Sequence, residues 1–193
     1  MNKKPAVFLD RDGTLTEEVG YVNHPSLLRL MPNTAAAIKK FRAMGYLAVV
    51  VTNQAGVARG YMSEDVVRAT LDRFKKLLAA EGTQVDGLYY CPHHPSSKEP
   101  RYAVACRCRK PLPGMVEAAC RDLDIDLARS VMVGDKYFSD MTMAQTLGIP
   151  GIFVLTGYGL GENEYQSSTW PHPPAHVAAD ALAAAEWLEG NRP

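Results

Sequence analysis

An α/β fold, built on a doubly wound, mostly parallel sheet with helices on both faces, is predicted by three observations. Short apolar strand candidates alternate with amphipathic helix candidates along the whole chain. The strand candidates are continuous apolar runs rather than alternating ones, as expected of strands covered on both sides. Polar residues able to bind or react recur directly after the strand ends, where open α/β sheets hold their ligands.

Residues 6–10 (AVFLD) form the first strand candidate and end in a carboxylate. Residues 33–44 follow Pro32 and place Ala35, Ile38, Phe41 and Met44 near helical spacing, with Gly45 as the stop. Residues 46–51 (YLAVVV) read as a buried strand. Ser63 can cap a helix running to about Glu81, with Val67, Leu71, Phe74 and Leu78 on one stripe and Gly82 closing it. Residues 87–91 are a further strand. Residues 92–113 carry five prolines and no periodicity, and read as an insertion without a core of its own. Pro113 can open a helix ending near Leu123. Then come a strand at 130–134, a helix at 140–147, a strand at 151–155 and an alanine-rich helix at 177–189. The glycine-rich segment 157–161 lacks a dinucleotide-binding pattern and reads as a flexible loop. His172 and His176 sit among prolines and read as part of a solvated connector. Neither gap between the polar segments holds a second core. The expectation is therefore one domain over 1–193 with no large cap.

The balance of 21 basic and 21 acidic residues among 193 gives no net charge. A chain that grips nucleic acid usually carries a basic excess, so that partner class is disfavoured. No apolar run approaches the roughly 20 residues of a membrane span, and the N-terminus shows no apolar leader. A cytoplasmic, membrane-free protein is expected.

Asp10 and Asp12 lie two residues apart after the first strand, followed by Gly13 and Thr14. Like charges held this close raise each other's pKa unless a cation neutralises them, and a hard divalent ion such as Mg²⁺ suits oxygen ligands. After a second strand, Thr52, Asn53 and Gln54 offer a hydroxyl and amides to a phosphate oxygen. After a later one, Asp135 can complete the metal site with Asp10, and Lys136 and Asp140 follow. Lys110 offers a positive charge to a phosphoryl group.

Cys91, His93, Cys106 and Cys108 crowd into the coreless insertion at about 91–110. Three thiolates and an imidazole make a closed structural zinc site. His94 is the rival to His93 as the nitrogen ligand. Cys120 falls mid-helix and reads as a small apolar residue. A fixed Cys106 and Cys108 would also fix the backbone that aims Arg109 and Lys110.

The ordered segments LDRDGT, TNQ, RKP and VGD resemble the four motifs of the haloacid dehalogenase superfamily of phosphotransferases, over roughly residues 6–155. The resemblance implies Asp10 as nucleophile and Asp12 as acid and base. It implies Mg²⁺ held by Asp10, the Asp12 backbone and Asp135, with Thr52 and Lys110 on the transferred phosphoryl group. Asp140 departs from the pattern, standing five rather than four residues after Asp135. With EVGYV at 18–22, TNQAGVARG at 52–60, YYCPHHP at 89–95 and CRCRKPLPGM at 106–115, the chain is similar to the histidinol-phosphate and heptose-bisphosphate phosphatase branch. The twelve-residue gap from His93 to Cys106 leans to the sugar side of that branch.

That likeness implies a monomeric enzyme acting on a small phosphorylated sugar, in the supply of activated heptose for surface glycans. Arg109 would recognise the far phosphate. Glu18, Val19, Gly20, Tyr21, Asn53, Gln54, Ala55 and Lys136 would shape the substrate site, although Glu18 and Tyr21 also fit an ordinary surface turn. Two alternatives remain: a histidinol-phosphate phosphatase, and a zinc-stabilised nucleic-acid module or DNA-end phosphatase using Arg101, Arg107, Arg109 and Lys110.

Overall fold

The computed structural model describes residues 3–193. Six strands form one sheet: β1 (Ala6–Leu9), β2 (Leu47–Asn53), β3 (Gly87–Cys91), β4 (Val131–Gly134), β5 (Gly151–Val154) and β6 (His176–Ala178). Their order is β3-β2-β1-β4-β5-β6, and every pairing is parallel. Phe8 of β1 sits opposite Val49 on one side and Met132 on the other. The chain winds outward from β1 through β2 and β3, then returns to the other side of β1 at β4. A crevice therefore opens at the carboxyl ends of β1 and β4.

Alternation along β1 feeds two cores. Val7 and Leu9 join one cluster with Ile38 and Phe41 of α1 (Thr34–Ala43), Phe74 and Leu78 of α2 (Glu64–Ala80), and Ala184 and Leu188 of α6 (Ala181–Gly190). Ala6 and Phe8 face Val116 and Ala119 of α3 (Gly114–Leu123) and Met143 and Ala144 of α4 (Thr142–Leu147). Every residue of β1 is buried, as continuous apolar strands require. Ser63 accepts the Val66 amide at the start of α2, and Glu64 and Asp65 complement the helix dipole. Cys120 lies on α3 among apolar neighbours, as expected.

Two segments differ from the sequence-based expectation. The glycine-rich stretch is not a flexible loop: it opens α5 (Gly159–Gln166). Glu162 of that helix accepts the Tyr137 amide at 2.7 Å, tying α5 to the chain after β4. The proline-rich connector ends in β6, which pairs with β5 from Ile152↔His176 to Val154↔Ala178. The His176 ring stacks on Trp187 at 4.7 Å, so it is packed rather than solvated. The last helix consequently starts at Ala181, where Asp180 caps it by accepting the Ala183 amide.

Candidate active site and metal centres

Asp10 continues the end of β1, its amide donating to the Val133 carbonyl at 3.0 Å. The end of β4 presents Asp135. Asp140 arrives from a π-helical turn, Tyr137–Met141, in which the Thr142 amide reaches back to the Tyr137 carbonyl. This wide turn accommodates the five-residue spacing from Asp135. The Lys136 amide donates to Asp140 Oδ2 at 3.1 Å and fixes the carboxylate. Asp10, Asp135 and Asp140 are all buried and bring one oxygen each within 4.8 Å of one another. Lys110 Nζ lies 2.9 Å from Asp10 Oδ1 and 2.7 Å from Asp140 Oδ1.

One lysine does not balance three buried carboxylates. Burial, then the charges of Asp10 and Asp140, push the Asp135 carboxyl up to about 8. Burial pushes Asp140 up to about 6 against the pull of Lys110. Burial opposes the charge on Lys110, yet Asp10 and Asp140 hold its pKa above the ordinary lysine range. Lys110 Nζ and Asp140 Oδ1 are buried in ion contacts without good hydrogen-bond angles. A hard divalent cation with oxygen ligands fits this donor set.

Two glycines press on Asp135 from either side. Gly13 has φ +85° and Gly157 has φ +57°, and a Cβ at either position would collide with the Asp135 carboxylate. Thr14 Oγ1 donates to Asp135 Oδ1 at 3.2 Å, and the Tyr158 amide donates to Oδ2 at 2.9 Å. The segment expected to be a loop thus helps hold a carboxylate of the candidate metal site.

Asp12 stands outside the carboxylate triad. Arg11 grips it in a fork at 2.9 and 2.6 Å, and Gln54 Nε2 donates to it at 2.8 Å. Gln54 Nε2 also meets Thr52 Oγ1 at 2.9 Å, linking the ends of β1 and β2. Asn53 and the Lys110 backbone exchange two hydrogen bonds, at 3.0 and 3.1 Å. The end of β2 thereby positions the segment that carries Lys110.

The insertion gathers Cys91, His93, Cys106 and Cys108 into a second cluster. Cys91 Sγ lies 3.0 Å from Cys108 Sγ, 3.6 Å from Cys106 Sγ and 3.7 Å from His93 Nδ1. The edges to Cys106 and His93 suit a tetrahedron of zinc bonds, about 3.3–3.8 Å for bonds of about 2.0–2.3 Å, and the Cys91–Cys108 edge is shorter. The contact with Cys91, against burial, and then His93 hold Cys108 down to about 5, while the same contact and burial push the Cys91 thiol up. His94 is not part of the cluster. Its Nε2 lies 3.2 Å from Arg59 instead. Tyr102 and Tyr90 both donate to Glu64, fastening the insertion to the start of α2.

A cavity of about 580 Å³ opens over the strand ends. Its lining includes Asp12, Lys110, Glu18, Gly20 and Tyr21. Asn53, Gln54, Ala55, Arg109 and Lys136 also line it, so the structure brings together nearly every residue expected to shape the site. Val19 is about half exposed and does not line the cavity. Lys136 pairs with Glu18 at 3.1 Å and lies over the Tyr158 ring.

The chain matches the HAD-hydrolase-like family model over residues 107–185. It is 42% identical to a D-glycero-D-manno-heptose-1,7-bisphosphate 7-phosphatase of Thermosynechococcus vestitus, across 96% of this chain and 95% of that protein. The chain belongs to the heptose-bisphosphate phosphatase family of HAD-like hydrolases. A Pasteurella multocida member of this family is 44% identical over 83% of the chain and 86% of its own length. The B. bronchiseptica structure, a D,D-heptose 1,7-bisphosphate phosphatase in complex with magnesium and phosphate, superposes with a TM-score of 0.83. It is 32% identical and covers 97% of this chain and 99% of that one.

Sequence reasoning about the family's motifs missed several cavity residues. Arg59, Met62, Phe138, Tyr158 and Glu162 line the cavity and were not singled out. Arg59 stands inside the TNQAGVARG string, so its letters were visible while its position was not. Tyr158 and Glu162 belong to the segment expected to be a loop.

Proposed function

We propose that the protein removes the 7-phosphate of D-glycero-D-manno-heptose 1,7-bisphosphate through a phosphorylated Asp10. One observation carries the reading. Three segments of the resemblance bring Asp10, Lys110 and Asp135 together beside Asp140, and the fourth ties Asn53 to the Lys110 backbone, in a fold whose relatives, 42–44% identical, bear that enzyme's name. The solved relative with magnesium and phosphate supports the same chemistry here.

In this reading the Asp10 carboxylate attacks phosphorus, and the bond from phosphorus to the sugar oxygen breaks. Asp12 gives its proton to that oxygen and later takes one from the water that cleaves the acyl phosphate. Lys110 and Thr52 hold the phosphoryl oxygens. Lys110 also keeps Asp10 oriented from 2.9 Å. Magnesium bound by Asp10, Asp135 and the Asp12 backbone would neutralise charge on the phosphoryl group. Asp140 acts one step back, by holding Lys110. Zinc on Cys91, His93, Cys106 and Cys108 would fix the segment that delivers Arg109 and Lys110. Arg109, Lys136, and the loop of Glu18, Val19, Gly20 and Tyr21 would receive the rest of the sugar. The reading extends to one capless domain over 1–193, acting as a monomer in the cytoplasm, where reduced thiols remain free to bind metal.

The test is phosphate release from heptose 1,7-bisphosphate, heptose 7-phosphate and histidinol phosphate at matched concentrations. The bisphosphate should give the highest kcat/KM. Preferential turnover of histidinol phosphate would overturn the reading.

A further inference from the structure

We propose that Arg59 is a second specificity-determining residue, which forms with Arg109 a two-guanidinium subsite for the phosphate that the reaction leaves in place. The inference rests on the reading of a sugar bisphosphate as substrate and adds a residue and a geometry to it. Arg59 and Arg109 line the same cavity. Arg109 Nη1 donates to the His93 carbonyl at 3.2 Å, and Arg59 Nη2 lies 3.2 Å from His94 Nε2. The His93 carbonyl thus holds Arg109, and Arg59 lies against the ring of the next residue, whose Nδ1 accepts the Ser96 amide. The Arg59 amide donates to the Ala55 carbonyl at 3.0 Å, so its backbone is held in the turn that follows β2.

The other charges of the cavity are already committed. Lys110 is held by Asp10 and Asp140, Lys136 by Glu18, and Asp12 by Arg11. Glu162 accepts the Tyr137 amide. Among the described residues, neither Arg59 nor Arg109 has a carboxylate at ion-pair distance. Two adjacent, uncommitted guanidiniums repel each other until an anion arrives. A phosphate monoester carries close to two negative charges at neutral pH, and its oxygens match the guanidinium fork. A single carboxylate or a neutral sugar would leave one of the two cations unmatched.

The experiment uses the full-length protein with its metals. kcat/KM is measured on heptose 1,7-bisphosphate, fructose 1,6-bisphosphate and heptose 7-phosphate for wild type, Arg59→Ala, Arg59→Lys, Arg109→Ala and the double variant. Arg59→Ala should lower the ratio of bisphosphate to monophosphate kcat/KM at least tenfold, chiefly through KM, and Arg59→Lys should restore part of it. The double variant should lose less than the product of the two single losses, because both arginines grip one group. Zinc content and thermal midpoint are followed in parallel. A variant that loses zinc is replaced by Arg59→Gln. A ratio within twofold of wild type in a zinc-replete variant overturns the inference, as does an equal fall on both substrate types. A wild type that prefers fructose 1,6-bisphosphate to the heptose compound removes the heptose reading, yet the Arg59 loss on that substrate still supports the subsite. A wild type with no preference for any bisphosphate overturns the subsite itself.

Discussion

Lys110 holds two buried carboxylates at once, and this arrangement separates its role from that of its neighbour Arg109. Arg109 lines the same cavity but donates to the His93 carbonyl. Lys110→Ala should lower kcat on every phosphate ester. It should also destabilise the fold by about 3–5 kcal/mol, since Asp10 and Asp140 would stay buried without their cation. Arg109→Ala should cost about 2–3 kcal/mol in kcat/KM on a bisphosphate and far less on an aryl phosphate. Kinetics of the two variants on the two substrates check this, and equal losses from both variants on the aryl ester would contradict it. Asp10→Asn should remove turnover while leaving thermal stability and zinc content close to wild type, as activity, melting and metal assays would show. Asp10 was legible because it follows a strand end directly, and Arg109 and Lys110 because they follow Cys106 and Cys108 in the insertion. Asp140 was harder to place, because a π-helical turn cannot be recognised from residue types alone. Arg59 had no signal of its own: only the folded loop brings it beside the residue that follows His93.

The insertion and α5 both line the cavity and brace the site around it. Zinc should stay bound through an EDTA treatment that strips magnesium, because four soft or borderline ligands close around it. Cys106→Ser should lower zinc content and expose 92–112 to proteolysis, with limited digestion as the readout. The insertion is also fastened by Glu64, whose pKa is lowered by the Tyr90 hydrogen bond, against burial, and further by Tyr102. A lowered carboxyl pKa contributes stability that is present above the unfolded value and lost as pH falls through the folded one. The gap in thermal midpoint between wild type and Glu64→Gln should therefore be widest at neutral pH and close on acidification. A gap that widens toward acid would contradict this assignment. Gly157→Ala should displace the Asp135 carboxylate and raise the magnesium concentration needed for activity. The role of this segment was not legible in the sequence. Three glycines weaken any helical pattern, and α5 forms through its tie to Tyr137. β6 spans three residues after two prolines, too short for periodicity to show, and its pairing with β5 defines it.

Across the whole molecule, the order β3-β2-β1-β4-β5-β6 places Asp10, Thr52 and Asp135 at the carboxyl ends of three neighbouring strands. That architecture was readable from the alternation of continuous apolar runs with amphipathic ones. Strands such as β1 and β2 are covered on both faces, and their composition reflects it. What could not be read was the curvature of loops from different strands around a shared cavity. The relation between them depends on contacts far apart in sequence, such as Asn53 with Lys110 and Gly157 with Asp135. The same topology puts Lys110 against buried Asp10 and its neighbour Arg109 on the His93 carbonyl. The most direct test of the account is phosphorus NMR of heptose 1,7-bisphosphate during turnover by the magnesium-loaded protein. The expected result is loss of the 7-phosphate signal, growth of inorganic phosphate and persistence of the 1-phosphate. Release of the 1-phosphate first, or no turnover of this compound beside rapid turnover of histidinol phosphate, would contradict it.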